Sequence, residues 1–175
     1  DGELYTRELI YEPQEGIEIK PDISEDILKI VVKDRYRDLP PATGFIKGFG
    51  LKKGAFASSV AHDSHNIIAI GTCDEDILSA INEVIRKKGG MAVAVDGSVK
   101  SLELNIAGIM SDKSCEKVAD DYEELSGIVK KYGCKMAAPF MTLSFMALLV
   151  IPELKMSDRG LFDGKSFSHV PLFLD

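Results

Sequence analysis

The stretch "SSVAHDSHNI", residues 58–67, gathers Ser58, Ser59, His62, Asp63, His65 and Asn66, and it holds two of the chain's three histidines. Three chemistries could use such a set. Two imidazoles and a carboxylate are ligands suited to zinc, manganese or iron. Ser58 or Ser59 with His62 and Asp63 has the residue types of a nucleophilic triad. Donors and acceptors crowded on one turn can also contact a ligand or a neighbouring surface.

Each reading has a weakness. A firm metal site wants three or four ligands, and adjacent residues such as His62 and Asp63 point to opposite faces if a strand runs through them. The third histidine, His169, is remote in sequence. No G-x-S-x-G elbow supports a nucleophilic serine. The bland alternative is a polar turn whose Asp and Asn side chains bond the backbone. The expectation is therefore a turn built from Ser58, Ser59, His62, Asp63, His65 and Asn66 that faces a substrate or an interface. Metal ligation by His62, Asp63 and His65 stands only as an alternative.

Two other stretches hold chemistry-capable residues. Gly44, Gly48, Gly50 and Gly54 lie among Lys47, Lys52 and Lys53. A phosphate cradle normally feeds a helix N-terminus, whereas these glycines lead into "AFASSVA", so they read as bends in a sheet. "MSDRGLFDG", residues 156–164, places Asp158 and Arg159 in a turn, where such a pair is expected to be structural.

The elements that must position the turn follow from periodicity. Residues 3–11 and 26–34 read as strands from their β-branched and aromatic content. Residues 44–61 read as two strands with a turn at 52–54, and 66–71 as a further strand, so that "HDSH" joins two strands. Thr72 and Glu75 have capping-box spacing ahead of an apolar face of Ile77, Ile81, Val84 and Ile85, with Gly89 as the stop. "MAVAVDGSVKSLEL" is a hairpin closed by Asp96-Gly97. A second helix follows Ser111-Asp112 through Cys115, Val118, Tyr122, Leu125, Val129 and Tyr132. Pro139 can open a short helix that passes into a strand near Val150, and "FSHVPLFL" reads as a last strand. Strands outnumber helices and hairpins stand beside helices. The fold class is thus α+β: a mixed, largely antiparallel sheet with two to three packed helices.

Bulk properties bound the function. Hydrophobic residues are 45% and charged residues 28%, with mean hydropathy +0.02, which is globular rather than disordered composition. The apolar run 139–151 contains Thr142 and Ser144 and falls short of the roughly 20 residues that span a bilayer. A net charge of −7 argues against nucleic acid and anionic membrane as partners. Cys73, Cys115 and Cys134 are scattered and odd in number, which points to reduced thiols and a cytoplasmic setting. The opening "DGELYTRELIYEP" has no initiating methionine and is already strand-like, as expected of a piece of something longer.

Taken together, "GFIKGFGLKKGAFASSVAHDSHNIIAIGTCDEDILSAIN", "LNIAGIMSD" and "PFMTLSFMALLVIPELKMSDRGLFDG" resemble the C-terminal domain of bacterial and archaeal adenine deaminases, from about residue 25 to the end. The resemblance implies a division into residues 1–24, a connector leaving a catalytic domain, and residues 25–175, the C-terminal domain. It implies a parent enzyme of the amidohydrolase superfamily that hydrolyses adenine to hypoxanthine and ammonia in purine salvage. In that parent, manganese or iron in a (β/α)₈ barrel activates the attacking hydroxide. A barrel takes about 250 residues, so it cannot lie in this chain, and the amidohydrolase H-x-H is replaced here by the H-x-x-H of His62 and His65. The resemblance therefore implies no catalytic residue and no bound cofactor in this chain, which by itself is expected to be inactive. Its partners would be the barrel and, through it, adenine; a homo-oligomer stays open. The other class is a free-standing small-molecule or metal-binding module without deaminase activity.

Overall fold

The computed structural model describes residues 4–12 and 19–174. Six strands form the main sheet: β1 (Ile27–Lys33), β2 (Ala42–Lys47), β3 (Ala55–Ser58), β4 (Ile67–Gly71), β5 (Gly90–Val95) and β6 (Ser98–Glu103). Their order is β2-β1-β4-β3-β5-β6, and every neighbouring pair is antiparallel. Helix α1 (Asp74–Arg86) crosses from β4 to β5. Helices α2 (Cys115–Lys131) and α3 (Pro139–Phe145) follow the sheet, and a small antiparallel sheet of β7 (Leu154–Ser157), β8 (Gly160–Asp163) and β9 (Ser168–His169) closes the chain. This is the α+β class expected from the sequence, with three helices.

Both faces of the main sheet are buried, which explains why β4, "IIAIG", is apolar throughout rather than alternating. The α1 face uses small residues. Ala55, Ala57, Ala69, Ala92 and Ala94 meet Ile77, Ala80, Ile81 and Val84, so helix and sheet approach closely. The opposite face uses large ones. Leu28, Ile30, Phe56, Ile68 and Ile70 pack with Leu125, Val129, Phe140 and Leu143. Phe56 and Phe140 meet edge to face at 5.1 Å. Burying a side chain of this size contributes on the order of 1.5–3 kcal/mol.

The Asp96-Gly97 hairpin forms as expected, with φ of 51° and 76°, the left-handed pair that a type I′ turn requires. Pro139 opens α3 at its first position.

Five expectations need correction. Residue 3 lies outside the described residues, and 4–11 form no strand. Only Thr6 finds backbone partners, Pro152 O at 3.2 Å and Glu153 N at 3.2 Å, while Leu9 and Ile10 stay exposed. Strands β2 and β3 are not neighbours, because β1 and β4 lie between them. Residues 48–54 leave the sheet, and Phe49 and Leu51 drop into the core. Thr72 does not cap α1: its hydroxyl donates to Gly54 O at 3.2 Å, Cys73 is the N-cap, and Ile85 faces outward at 47% exposure. No strand forms near Val150; the next one begins at Leu154. The C-terminal strand shrinks to Ser168–His169, two residues ahead of Pro171, which has no N–H to extend the ladder.

Candidate functional site

Three connections meet at one end of the main sheet: residues 34–41 after β1, 59–66 after β3, and 104–114 after β6. The strand register puts them together, since Lys33 pairs with Ile67, Ser58 with Ile68 and Met91, and Gly90 with Glu103.

The sequence-predicted residues separate into two groups here. Ser58, Ser59 and Asn66 are buried and spend their polar atoms on the backbone. Ser58 Oγ accepts from Val60 N at 2.9 Å. Ser59 Oγ accepts from Gly90 N at 2.8 Å and donates to Gly108 O at 2.5 Å, so one hydroxyl ties the start of β5 to the loop after β6. Asn66 Oδ1 accepts from Arg35 N at 3.1 Å. These three hold the turn and the loops around it.

His62, Asp63 and His65 do the opposite. Asp63 is exposed, and its carboxylate makes no hydrogen bond or ion pair with the described residues. The His62 ring lies 4.9 Å from the Phe145 ring of α3 and 6.2 Å from that of His65, while its backbone N–H donates to Ser144 O at 3.2 Å. His65 closes the turn through its N–H to Ala61 O at 2.7 Å, in a left-handed conformation with φ 52°. Its Nδ1 is buried without a hydrogen-bond partner.

Two residues that sequence reasoning missed fix this arrangement. The Arg35 guanidinium donates to Ala107 O and, at 3.5 Å, to His65 O. It lies so close over Gly108 that a Cβ there would stand 2.5 Å from it. Tyr36 donates its hydroxyl to Ser64 O at 3.3 Å. The signal was present in "DRYR", residues 34–37, where charged and aromatic residues follow an apolar strand directly. Asp34, 4% exposed, anchors that segment through Tyr36 N at 2.8 Å, Arg37 N at 3.0 Å and Arg37 Nε at 2.6 Å. The Tyr36 N–H first, and Arg37 with it, hold its carboxyl below the usual carboxylate range against the opposing effect of burial.

The remaining candidates are placed by the same geometry, with Asp158 and Arg159 in the turn between β7 and β8. Asp158 pairs with Arg37 at 3.3 Å, not with Arg159, whose side chain is exposed. Among the described residues, no group of three or more His, Cys, Asp and Glu side chains could hold a metal ion. His62, Asp63 and His65 therefore do not carry the metal alternative: one ring packs at a tilt against Phe145 and the carboxylate is on an exposed residue. No triad forms either, because the Ser58 and Ser59 hydroxyls are occupied by backbone. The Ser–His contact that does exist, Ser157 Oγ to His169 Nε2 at 3.1 Å, also takes Arg159 N at 3.0 Å and brings in no carboxylate. What the site can do is present two imidazoles and a carboxylate from a turn that its neighbours hold in place.

Beside the turn, Leu4, Ala137, Ala138, Met141, Thr142, Phe145 and Met146 line a shallow apolar hollow of 120 Å³. Phe145 belongs to both features, so hollow and turn are continuous. Residues 4–6 reach the hollow along β7. Thr6 Oγ1 donates to Leu154 O at 2.6 Å, and the buried Lys155 donates its Nζ to Leu4 O at 2.5 Å. Burial pulls that ammonium down to about 8.

The model of the adenine deaminase C-terminal domain matches residues 3–168. The adenine deaminase of Methanosarcina mazei is 52% identical over 100% of this chain, which covers 32% of that protein. That of Sulfurovum sp. is 52% identical over 90% of the chain and 30% of its own length, and that of Parabacteroides distasonis 48% over 99% and 32%. The chain thus spans about a third of the length of the curated relatives it matches. With nearly every described element inside the matched range, the chain belongs to the adenine deaminase C-terminal domain family.

Proposed function

We propose that this chain is the accessory C-terminal domain of an adenine deaminase, and that its 62–66 turn faces the mouth of the parent's active site. The parent would hydrolyse adenine to hypoxanthine and ammonia in cytoplasmic purine salvage, with manganese or iron held by an amidohydrolase barrel outside these residues. The described side chains do not fit a metal, so the chain's own contribution is to position groups near the substrate. Residues 1–24 serve as the connector from the barrel.

The observation that carries this reading is His65. A left-handed backbone at a non-glycine residue and a buried ring nitrogen without a partner both cost stability. The left-handed backbone lets the His65 N–H close the turn on Ala61 O, but the unpartnered ring nitrogen adds nothing to the fold, and it is this atom that supports a role outside it. A purine offers ring nitrogens and an exocyclic amine that an imidazole or carboxylate can bond.

His65→Asn in the full-length enzyme tests the reading, because asparagine tolerates the left-handed backbone. The expected result is at least a tenfold fall in kcat/KM with the parent's metal content unchanged. Unchanged kcat/KM would leave the turn as a domain anchor. That second reading draws on the bonding of Ser59 and Asn66, which ties the turn to its neighbours whatever it faces. The chain alone, supplied with manganese or iron(II), is expected to show no adenine turnover.

A further inference from the structure

The apolar hollow beside α3 has no occupant within the chain, and its surroundings indicate what covers it. We infer that this face, from Leu4 and Tyr5 across Met141 and Phe145 to Val150, is the docking surface for the upstream catalytic portion of the same polypeptide. The inference rests on the accessory-domain reading and adds the surface through which it acts.

Three observations converge. First, the family is a C-terminal domain and the matching relatives are about three times as long, so the missing portion joins this domain at its N-terminal side. The chain's N-terminal segment is fixed where it enters. Leu4 is a wall of the hollow, its carbonyl is held by Lys155, and Thr6 is bonded on both sides to residues 152–154. Leu4, the first described residue, therefore lies against this face rather than at the α1 side.

Second, three large apolar side chains are exposed here, beside the Lys165–Glu153 ion pair. Tyr5 is 71% exposed, Met141 51% and Val150 60%. Val150 stands two residues before Pro152, which bonds Thr6, so the patch is contiguous with the entering segment. An apolar patch continuous with a chain entry point fits an intramolecular neighbour, since such a contact needs no charge steering.

Third, the hollow is continuous with the candidate site through the His62–Phe145 contact. A body seated on α3 would also lie over His62. The same docking that buries Met141 would thus bring the turn to the catalytic portion, which explains why residues of α3 hold the turn through Ser144 O and Phe145.

Hydroxyl-radical footprinting read by mass spectrometry tests this without mutation, comparing the full-length enzyme with this chain alone. Met141 should be oxidised at least fivefold more slowly in the full-length protein, while Leu78 on α1, 57% exposed, should react equally in both. Equal oxidation of Met141 in the two proteins would overturn the inference. Protection of Met141 in the chain alone that grows with its concentration would assign the face to a second copy, and would overturn it too. Met110, 54% exposed beside the Arg35 cluster, separates this inference from the functional reading. Protection of Met110 without Met141 leaves the turn facing the barrel but refutes the α3 docking surface. Protection of Met141 together with a His65→Asn enzyme of unchanged kcat/KM keeps the surface and refutes the substrate-facing turn.

Discussion

Ser59 and His65 sit six residues apart in one turn and treat their polar atoms in opposite ways. The Ser59 hydroxyl is fully buried, accepts one backbone N–H and donates to one carbonyl, and so joins two loops that are otherwise separate in the chain. The imidazole of His65 finds no partner for its buried Nδ1 and sits on a backbone conformation that most side chains avoid. One residue builds the turn and the other is held out by it. Polar crowding in a sequence therefore does not identify function by itself. The division between satisfied and unsatisfied groups narrows the candidates, because folding alone accounts for the first kind.

The largest test of the contrast removes the builder. Ser59→Ala leaves Gly90 N–H and Gly108 C=O without their partner in a buried place, and should destabilise the chain by about 3 kcal/mol. Urea denaturation reads this directly. A loss below about 1 kcal/mol would mean that the hydroxyl does not clamp the loops and that the distinction within the turn fails.

A second buried group, beside the hollow next to α3, sharpens the comparison. Lys155 is 2% exposed and donates to Leu4 O, yet among the described residues no carboxylate accompanies it. Burial lowers its folded pKa to about 8 from the ordinary 10.5. Below pH 8 the ammonium is charged in both states, and the folded chain bears the full cost of burying it. Between pH 8 and 10.5 the folded chain loses the proton first, so this cost fades as pH rises. Lys155→Met should therefore stabilise the chain by about 2 kcal/mol at pH 7, after allowing for the lost bond to Leu4, and its advantage should shrink through that window. Thermal melts of both proteins from pH 7 to 10.5 check the sign. An advantage that grew with pH would contradict the burial argument.

How much of this was legible in the sequence follows from how local each signal is. The Asp96-Gly97 hairpin, the α1 face of Ile77, Ile81 and Val84, and the Pro139 start of α3 rest on neighbours in sequence, and all appear in the structure. The turn at 62–66 was legible as a turn for the same reason. What was hidden depends on distant partners. Thr72 and Glu75 have the right spacing for a capping box, but Gly54 O lies within reach of the Thr72 hydroxyl and takes it. Residues 4–11 have strand composition, but only Thr6 meets a free edge. Arg35 became part of the site only when the register of β1, β3 and β6 brought Ala107 and His65 to its guanidinium. Asp158 and Arg159 do lie in the turn between β7 and β8, but the partner of Asp158, Arg37, arrives from the other end of the chain.

The smallest expected effect has the most informative sign. His65→Gly removes both the unpartnered nitrogen and the left-handed penalty, because glycine adopts φ near 52° freely. The chain should gain about 0.5 to 1 kcal/mol, measured as a raised urea midpoint with unchanged slope. If the proposed substrate-facing role holds, the same change lowers kcat/KM in the full-length enzyme, since it removes the imidazole. Gain in stability with loss of activity is the signature of a side chain kept for what it presents. A destabilised His65→Gly chain would instead place His65 with Ser59 among the builders. The turn would then be one cooperative anchor, and Asp63 would be the residue left to explain its exposed charge.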